Sequence, residues 1–411
     1  MVFGGTGIDI CKSAILWRRF LILCGGTRSF DGVLRPFIGV IDLREASIVW
    51  FIVVTGIVGE AHDVDIVDDN IVFCGDNIVG CLNFDGKLLW SYRVPYTLFK
   101  VLKANGGIYA TGGGASLLNF DVDGSILFEG EVNAYLRLLP YMYSPIHFYD
   151  LIYGGDEIIA VGVGRNIISR YSGYDSIILG FGLDFKTTWC KVFGSSSEDK
   201  VFSATYDGRK LYLAGCTMAG GFGGLDILVI GYDLEREYYW CKVVGGPKFD
   251  CAFSINLYDG ILHVVGSTAS FNGVDNFFIL NLNLDGSLRE FNIIGGSGHE
   301  YMAPGCKSRV INGQLILCGS TSTWTFNHRN AIILSTPIGF KGEFPWKSPT
   351  EWENVTVKTV KPMIKDIKIK CFNVRASISK TSFSTKHEFK TVYWIPRIYC
   401  SFKPTVYVTR I

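Results

Sequence analysis

The sequence predicts an all-β fold built from repeated four-stranded antiparallel units. Residues 245–296 form the clearest unit, because they contain four short apolar runs separated by turns and one longer loop. Two of the turns are Asp259-Gly260 and Asp285-Gly286. An Asp-Gly pair between alternating hydrophobic runs is a strong hairpin signal, since both central residues of a type I′ turn need a positive φ. Each unit is therefore expected to fold as a meander.

The length of the repeat predicts how these units assemble. A glycine closes the second run of each unit, and the seven copies are Gly25, Gly75, Gly112, Gly162, Gly215, Gly266 and Gly319. Successive copies are 50, 37, 50, 53, 51 and 53 residues apart. A period near 50 with four strands per unit is typical of propeller blades, which bury their faces against neighbouring blades. The sequence thus predicts a seven-bladed β-propeller over residues 1–346.

Two further patterns recur at fixed places in the unit. The fourth run carries a large aromatic residue, and its copies are Trp50, Trp90, Phe128, Trp189, Trp240 and Phe291. An aromatic at one register of the outer strand predicts packing between blades. The third run begins at Asp175, Asp226 and Asp275. We expect these carboxylates to accept hydrogen bonds from their own loops, and an arc of carboxylates around a cation is the alternative.

The repeat resembles a known family. Gly-Gly is followed by Asp250-Cys-Ala-Phe-Ser-Ile, Asp259-Gly, Val264-Val-Gly-Ser-Thr, Asp275-Asn-Phe-Phe-Ile-Leu, Asp285-Gly and Gly-Gly. This pattern is similar to the seven-bladed β-propeller (SBBP-type) repeats of bacterial and archaeal proteins. The resemblance is good over residues 194–334 and degraded over 1–165. It implies the fold, and it brings no catalytic residues with it.

Residues 347–411 differ in composition from the rest of the chain. They carry 13 Lys and Arg against 4 Asp and Glu, whereas residues 1–346 carry 26 against 34. The last glycine is Gly342, and period-two alternation after it indicates about six strands. These predict a small basic β-rich domain of sandwich type. The alternative is a tail that packs on the propeller and covers a strand edge.

The expected location is the cytoplasm. No apolar run approaches the ~20 residues needed to span a bilayer. Residues 18–25 imitate an export signal, but they match second runs of later units. Residues 1–5 resemble the end of a unit, so the start could lie upstream, which would favour an extracellular or cell-surface protein. The 12 Cys fall at core positions and suit a reducing compartment, while the single Gln314 suggests a hyperthermophile, in which intracellular disulfides are an exception.

Catalytic signatures are absent from the sequence. It has no phosphate-binding loop, nucleophile elbow, paired His at helical spacing or CxxC pair, so no catalytic residue, metal or cofactor is predicted. His62 and His299 lie in blade-to-blade loops, where a metal or acid-base role is the alternative. His263 occupies a core register. Asp121-Val-Asp123 resembles a calcium loop but lacks its later bidentate acid, and a hairpin turn is expected there.

Function is expected on the face that carries the long loops between second and third strands and between blades. Its exposed aromatic and basic residues are of the types enriched at binding hot spots: Arg28, Phe30, Arg165, Arg170, Tyr171, Phe222, Phe271, Trp324, Phe326 and Arg329. The alternative is that the aromatics fold back over the blade ends. The loops shrink at residues 76–79 and 113–116 in blades 2 and 3, which predicts a notch beside the insertion at 130–149.

The sequence therefore predicts a non-catalytic interaction module that recognises a protein or another ligand through its long-loop face. One alternative is a propeller enzyme, a quinoprotein-like dehydrogenase or a lyase, that uses the central funnel. Another is a cell-surface structural protein. The basic tail interleaves Lys with aromatics, which favours a solvated strand face, with binding to nucleic acid or an anionic surface, or docking on the acidic propeller, as further alternatives.

Overall fold

The structure is a computed structural model that describes residues 1–45, 47–135, 146–167, 173–219, 222–271, 273–323, 329–338, 342–347, 352–359, 363–366, 370–373, 375–380, 385–386, 389–393 and 397–399. The elements in these ranges are β-strands and one 3₁₀ turn, Gly113–Ala115. None of the described residues belongs to a helix that is long and apolar enough to cross a membrane.

Twenty-seven of the described strands form a ring of units. In chain order they are β1 (Val2–Gly4), β2 (Asp9–Trp17), β3 (Phe20–Thr27), β4 (Arg35–Asp42), β5 (Ser47–Thr55), β6 (Ala61–Val67), β7 (Asn70–Leu82), β8 (Leu88–Ala104), β9 (Gly107–Gly112), β10 (Ser116–Phe120), β11 (Ile126–Tyr135), β12 (Ile146–Tyr153), β13 (Glu157–Arg165), β14 (Tyr174–Gly182), β15 (Thr187–Gly194), β16 (Asp199–Tyr206), β17 (Lys210–Thr217), β18 (Asp226–Asp233), β19 (Tyr238–Gly245), β20 (Asp250–Tyr258), β21 (Ile261–Thr268), β22 (Asn276–Asn283), β23 (Leu288–Gly295), β24 (Glu300–Tyr301), β25 (Ser308–Ile311), β26 (Gln314–Thr321) and β27 (Asn330–Pro337).

Each unit is a four-stranded antiparallel sheet, and we call it a blade. Blade 1 is β2–β5, blade 4 is β12–β15, blade 5 is β16–β19 and blade 6 is β20–β23. Two long strands each belong to two neighbouring parts of the fold. β7 first pairs with β6 and then, from Asp76, with β8, while β8 continues from blade 2 into the first strand of blade 3. Blade 3 is completed by β9–β11. The chain is therefore an all-β propeller.

The ring is closed by the N-terminal strand. β24 and β25 both pair with β26, β26 pairs with β27, and β1 pairs with β27 in the register Val2↔Ile332. These five strands make blade 7, whose fourth strand comes from the other end of the chain. This explains why residues 1–5 resemble the end of a unit.

The recurring glycine is required by a bulge in the first strand of the blade. In blade 1 the register of β2 against β3 shifts between Cys11 and Ser13, opposite Gly25. The bulge pushes a backbone carbonyl over the glycine, so that a Cβ at Gly25 would lie 1.9 Å from the Ile10 carbonyl oxygen. The same contact recurs in the other blades, for example 1.9 Å between a Cβ at Gly266 and the oxygen of Cys251. A side chain at this position would displace the first strand.

The outer-strand tryptophans pack against the next blade, as predicted. Trp50 Nε1 donates to the Phe84 carbonyl at 2.8 Å, and the ring lies over the turn glycine Gly86. Trp90 and Trp240 repeat this contact at 3.3 Å with Val122 and Leu284. Trp189 differs because the following turn, residues 234–237, has no glycine. Its Nε1 donates instead to the Glu157 carboxylate of its own blade.

The two Asp-Gly turns of the template unit differ in conformation. Asp259 and Gly260 have φ values of 48° and 68°, as a type I′ turn requires. At the second turn only Gly286 has a positive φ, 81°, so the prediction of a type I′ turn at Asp285-Gly286 is wrong. The Asn283 N–H donates to the Ser287 carbonyl and the register shifts at Leu282, because this hairpin is longer and uses one left-handed glycine.

Apolar side chains are buried between the blades. Seven hydrophobic clusters occur among the described residues; six of them join two neighbouring blades, and the seventh includes residues of blades 1, 5, 6 and 7. Phe37 and Cys318, for example, meet between blades 1 and 7. The ten described cysteines are free and buried in these clusters, which confirms the prediction of core thiols. His263 is also buried, as predicted, and bonds to Asn281 at 2.8 Å.

The remaining strands follow the ring in the chain. They are β28 (Gly342–Lys347), β29 (Trp352–Thr359), β30 (Met363–Asp366), β31 (Lys370–Asn373), β32 (Arg375–Lys380), β33 (Thr385–Lys386), β34 (Lys390–Tyr393) and β35 (Arg397–Tyr399). In the described ranges, β28 pairs with β29, and every strand from β29 to β35 pairs with an outer strand of the ring. These pairings agree with the alternative prediction, in which the tail packs on the propeller and covers a strand edge. They do not include the separate sheets of a sandwich.

Candidate functional site

The long-loop face is held down by a repeated clasp in four blades. A carboxylate at the start of the first strand accepts a hydrogen bond from a threonine at the end of the second strand. The pairs are Asp9 with Thr27, Asp199 with Thr217, Asp250 with Thr268, and Glu300 with Thr321. Each carboxylate also accepts the N–H of the loop that leads into the blade, for example Gly246 at 2.8 Å. The clasp therefore joins the two kinds of long loop.

These clasp carboxylates lie in the protein interior. Burial raises the pKa of Asp9, Asp199 and Asp250, although their hydroxyl and amide donors oppose the rise. In blade 7 burial raises the pKa of Glu300 to about 7, against hydrogen bonds from Thr323, Gly296 and Thr321. A carboxyl group that titrates near neutral pH thus sits beneath this face.

The clasp was not anticipated from the sequence, although a signal for it exists. Each threonine follows the recurring glycine by two positions, as in Gly266 and Thr268. In blades 1, 5 and 6 the aspartate precedes the threonine by 18 residues. A Gly-x-Thr sequence with this spacing would have identified the clasp.

Blade 2 replaces the clasp with a different group of polar residues. Asp76, at the tight turn inside β7, accepts the Glu60 N–H at 2.9 Å, Thr97 Oγ1 at 2.7 Å and His62 Nε2 at 3.2 Å. Burial raises the pKa of Asp76, but the hydrogen bond and charge of His62 and its other donors outweigh this effect and lower the pKa to about 2. His62 is 5% exposed, and no described residue bonds its Nδ1. The histidine is therefore fixed by one carboxylate.

The axis of the ring is filled by a collar of side chains. The extra residue in the first-strand bulge points inward in successive blades, and the ring contacts run from His62 through Phe99, Tyr149 and Phe202 to Phe253. Neighbouring ring centroids are 5.1, 4.6, 5.0 and 5.4 Å apart. In blade 7 the residues between β24 and β25 complete the collar, because Met302 and Cys306 are fully buried there. Phe202, Phe253, His62, Met302 and Cys306 are buried in this collar, whereas Phe99 and Tyr149 are half-buried.

Charged residues form a second layer beside the collar. Asp63 is fully buried and bonds Lys100 at 3.0 Å, Ser13 at 2.6 Å and Arg309 at 3.5 Å. Burial raises the pKa of Asp63, but the charges of Lys100, Arg309 and the nearby Lys307 outweigh it and lower the pKa below its ordinary value.

Lys307 extends this layer across the ring. It belongs to blade 7, yet its Nζ lies 3.4 Å from Asp150 and 2.9 Å from the Tyr149 carbonyl oxygen, both in blade 4. Burial lowers the pKa of Lys307, and the charge of Asp150 opposes that effect. The ionisable groups at the axis therefore neutralise one another and bind opposite blades together.

The other sequence-predicted chemical sites are distributed over separate blades. Asp175 accepts the Ile167 N–H at 2.7 Å and Asp226 accepts the Phe222 N–H at 3.1 Å, as the loop-bonding interpretation predicts. Asp275 instead lies 3.0 Å from His299 Nδ1. Among the described residues no group of three or more His, Cys, Asp or Glu side chains could hold a metal ion. Residues 121–125 form a hairpin turn, as predicted.

The three described aromatic residues predicted for the loop face fold back onto the blades. Phe30 and Phe222 pack against interblade clusters, and the Phe271 ring lies 5.2 Å from that of Phe291.

The predicted basic residues are spread around the ring. Arg28 and Arg165 are exposed, and Arg329 lies over the Tyr301 ring at 5.6 Å. Arg170, Tyr171, Trp324 and Phe326 are outside the described residues. The described members come from blades 1, 4, 5, 6 and 7, so they are distributed around the long-loop face.

An open pocket lies beside the short loop of blade 2, and Asn77 is the one described lining residue that belongs to the segments from which the notch is predicted. Its volume is about 400 Å³, and it is lined by Ile57, Val58, Asn77, Arg93, Val94, Pro95 and Thr385. The turn at Asn77, with φ 57°, keeps the blade 2 loop short and leaves the pocket uncovered. Asn77 Nδ2 donates to Val94 at 3.1 Å, and Arg93 donates to Gly56 at 3.2 Å. We call this surface the notch pocket.

The strand pairings and the filled axis define the class of protein as a β-propeller. No protein-family model matches the chain, and no curated protein matches it. Among solved structures, the chain is similar to the Pan2 WD40 domain of Neurospora crassa, with 13% identity over 81% of this chain and 90% of that one and a TM-score of 0.48. It is also similar to BamB from Moraxella catarrhalis, with 15% identity over 81% and 85% of the two chains and a TM-score of 0.41. A third similar structure is the Cps50 (Swd1) β-propeller domain of Myceliophteria thermophila, with 10% identity over 79% and 99% and a TM-score of 0.43.

Proposed function

We propose that this propeller is a non-catalytic interaction module that binds a protein partner at the notch pocket. The observation that carries the proposal is the open pocket of about 400 Å³ on a face where other blades have clasped loops. The filled axis supports it, because the collar and the charged layer occupy the place where a propeller enzyme would hold its substrate. A cytoplasmic location is part of the proposal, and the ten buried free thiols are consistent with it.

The composition of the pocket rim suits a protein partner. Val58 is 66% exposed and Pro95 is exposed beside it, while the Arg93 guanidinium provides a charge at the edge. Arginine is one of the residue types enriched at the centre of protein interfaces, and burial of the exposed Val58 and Pro95 side chains would add apolar contact area. Because these residues stand on the ends of paired strands, little conformational entropy is lost when they bind.

Site-specific crosslinking tests the proposal. A photoreactive amino acid at position 58 is expected to capture one protein in the source cells, and Arg93→Glu is expected to remove that product. The matched control is position 258, because Tyr258 is 41% exposed on the opposite, tight-turn face. Equal products from positions 58 and 258, or a product at 58 that Arg93→Glu leaves unchanged, would contradict binding at the pocket.

The enzyme alternative has its own test. Elemental analysis and native mass spectrometry of the purified full chain are expected to show a clean protein mass. A stoichiometric metal or small-molecule adduct would contradict the non-catalytic proposal and direct attention to His62 and His299. We further propose that the repeats belong to the SBBP-type family, on the motif of residues 245–296.

A further inference from the structure

The C-terminal strands visit every blade in reverse order. β29 pairs with blade 6, β30 with blade 5, β31 with blade 4, β32 with blade 3, β33 with blade 2, β34 with blade 1 and β35 with blade 7. The chain leaves the ring from β27 in blade 7, so it returns to the blade where it began. The seven strands β29 to β35, which we call the strap, thus lie on the outer edges of all the blades.

The strap meets most successive blades at an interval of seven residues. The residues opposite Gly295, Gly245, Gly194 and Asn133 on the outer strands of blades 6, 5, 4 and 3 are Thr356, Met363, Lys370 and Ser377, which are seven residues apart. Those opposite Thr55 and Gly4 in blades 1 and 7 are Lys390 and Arg397, again seven apart. Blade 2 lies between Ser377 and Lys390, which are 13 residues apart, so the spacing there is one residue short of two such steps.

Side chains as well as backbone hold the strap to the ring. Phe389 is 5% exposed and belongs to the hydrophobic cluster between blades 1 and 2. Next to it, Thr55 Oγ1 donates to the Lys390 carbonyl at 3.1 Å, and the Tyr393 hydroxyl donates to the Asp85 carbonyl at 3.2 Å. The strap is thus anchored in the core of the ring at this point.

The last contact of the strap is with the strand that closes the ring. β1 is the fourth strand of blade 7, and it pairs with β27 on one edge and with β35 on the other. We call the boundary between blades 7 and 1 the seam. Because β1 continues along the chain into β2 of blade 1, opening the ring at the seam would pull β1 away from β27 and β35. The strap also crosses the seam, because β34 is on blade 1 and β35 is on blade 7.

We propose that the outer edges of the blades form a strand-addition surface for the strap, and that the bound strap holds the seam closed. A segment of two to six paired residues adds little stability alone. Segments joined in series bind more tightly, since each bound segment raises the effective concentration of the next. The excess of positive charge after residue 346 and of negative charge before it also favours the association.

A cut in the full chain tests this proposal. A site for a sequence-specific protease is placed at 348–351, ahead of β29, and the folded protein is cleaved. We expect the fragment to stay on the ring in native mass spectrometry at low salt and to leave it in high salt. Loss of the fragment is expected to raise the alkylation rate of Cys11 and Cys318, which are buried at the seam, by about tenfold or more.

Thiols elsewhere in the ring and a point variant complete the test. Cys190 and Cys241 are buried between blades 3 and 4 and between blades 4 and 5, and their alkylation is expected to change much less. In the uncut chain, Phe389→Ala should raise the labelling of the seam thiols, whereas Val392→Ala, at a residue 39% exposed, should not. Seam labelling that is unchanged in both the cut protein and Phe389→Ala would overturn the proposal.

Discussion

Blades 6 and 2 have the same structure close to the axis of the ring. They differ at the loops of the long-loop face. Both have the bulged first strand and a glycine opposite the bulge, Gly266 and Gly75. In blade 6, Asp250 ties the loops together through Thr268 and Gly246. In blade 2 the loop is a tight turn, and Asp76 bonds His62 and Thr97 instead. The repeated residues therefore determine the packing close to the axis. The length of the loop between the second and third strands determines where the long-loop face is open.

The same register position also differs in charge between the two blades. The residue that follows the bulge is Ser254 in blade 6 and Asp63 in blade 2. Each accepts the N–H of the next blade, Ser308 at 3.0 Å and Val101 at 3.3 Å. Only Asp63 also neutralises cations. The same hydrogen bond from the next blade is therefore accepted by a neutral hydroxyl in blade 6 and by a charged carboxylate in blade 2.

The largest expected effect comes from removing that carboxylate. Asp63→Ala leaves Lys100 and Arg309 buried without their partner, and breaking a buried ion pair in this way costs about 3–5 kcal/mol of unfolding free energy. Ser254→Ala removes only neutral hydrogen bonds to the Ser308 backbone and should cost about 1 kcal/mol. Chemical denaturation of both variants measures the difference. Equal losses would show that the charge at Asp63 has no structural role.

The next effect is a difference in pH dependence between blades 7 and 2. Glu300 has a pKa of about 7, above its ordinary 4.5, so its contribution to stability is present below pH 4.5 and is lost as the pH rises through 7. This corresponds to about 3 kcal/mol at most. Glu300→Gln should remove that loss. Denaturation curves between pH 5 and 8 test it, and an unchanged slope in the variant would contradict the assignment.

The contribution of Asp76 to stability depends on pH in the opposite direction to that of Glu300. Its pKa of about 2 is below its ordinary 3.8, so its contribution is present above pH 3.8 and is lost as the pH falls toward 2. Asp76→Asn should therefore reduce stability at neutral pH. It should also reduce the fall in unfolding free energy between pH 4 and 2, which we call the acid limb. Glu300→Gln is the matched comparison, because it should leave this limb unchanged. An acid limb that is the same in wild type and Asp76→Asn would contradict the role given to His62.

Thr268→Val tests the clasp at a smaller scale. The substitution keeps the shape of the side chain and removes a hydrogen bond to the buried Asp250 carboxylate, which should cost about 2 kcal/mol. Thr97→Val in blade 2 should cost less, because Asp76 is partly exposed and keeps its bond to His62. Thermal unfolding of the two variants measures the ranking, and a larger loss for Thr97→Val would reverse it.

The sequence was sufficient where one residue type is required for a steric reason. Gly25 and its copies could be recognised because any side chain there meets a carbonyl of the first strand. Trp50 could be assigned to interblade packing because the glycine of the next turn leaves room for its ring. These features recur at a fixed spacing, so the repeat could be read without the structure.

The strap, the collar and the charged layer beside the collar could not be predicted from the sequence in the same way. Five of the seven strap strands have only two to four residues, and a pairing partner lies up to about 390 residues away, as for Arg397 and Gly4. Their alternation therefore looked like that of an independent sandwich. Lys307 reaches Asp150 because residues 302–306 replace a simple bulge in blade 7, and no repeat signal marks this insertion.

The smallest stability effect is expected at the notch pocket. Ile57 and Val58 are adjacent, but Ile57 is 3% exposed in the cluster between blades 1 and 2, whereas Val58 is 66% exposed at the pocket rim. Val58→Asp should change unfolding free energy by no more than about 0.5 kcal/mol, while Ile57→Ala should cost about 2–5 kcal/mol. A large loss for Val58→Asp would mean that this residue belongs to the core. A small one leaves it free to act in binding, where the crosslinking experiment measures its effect without interference from folding.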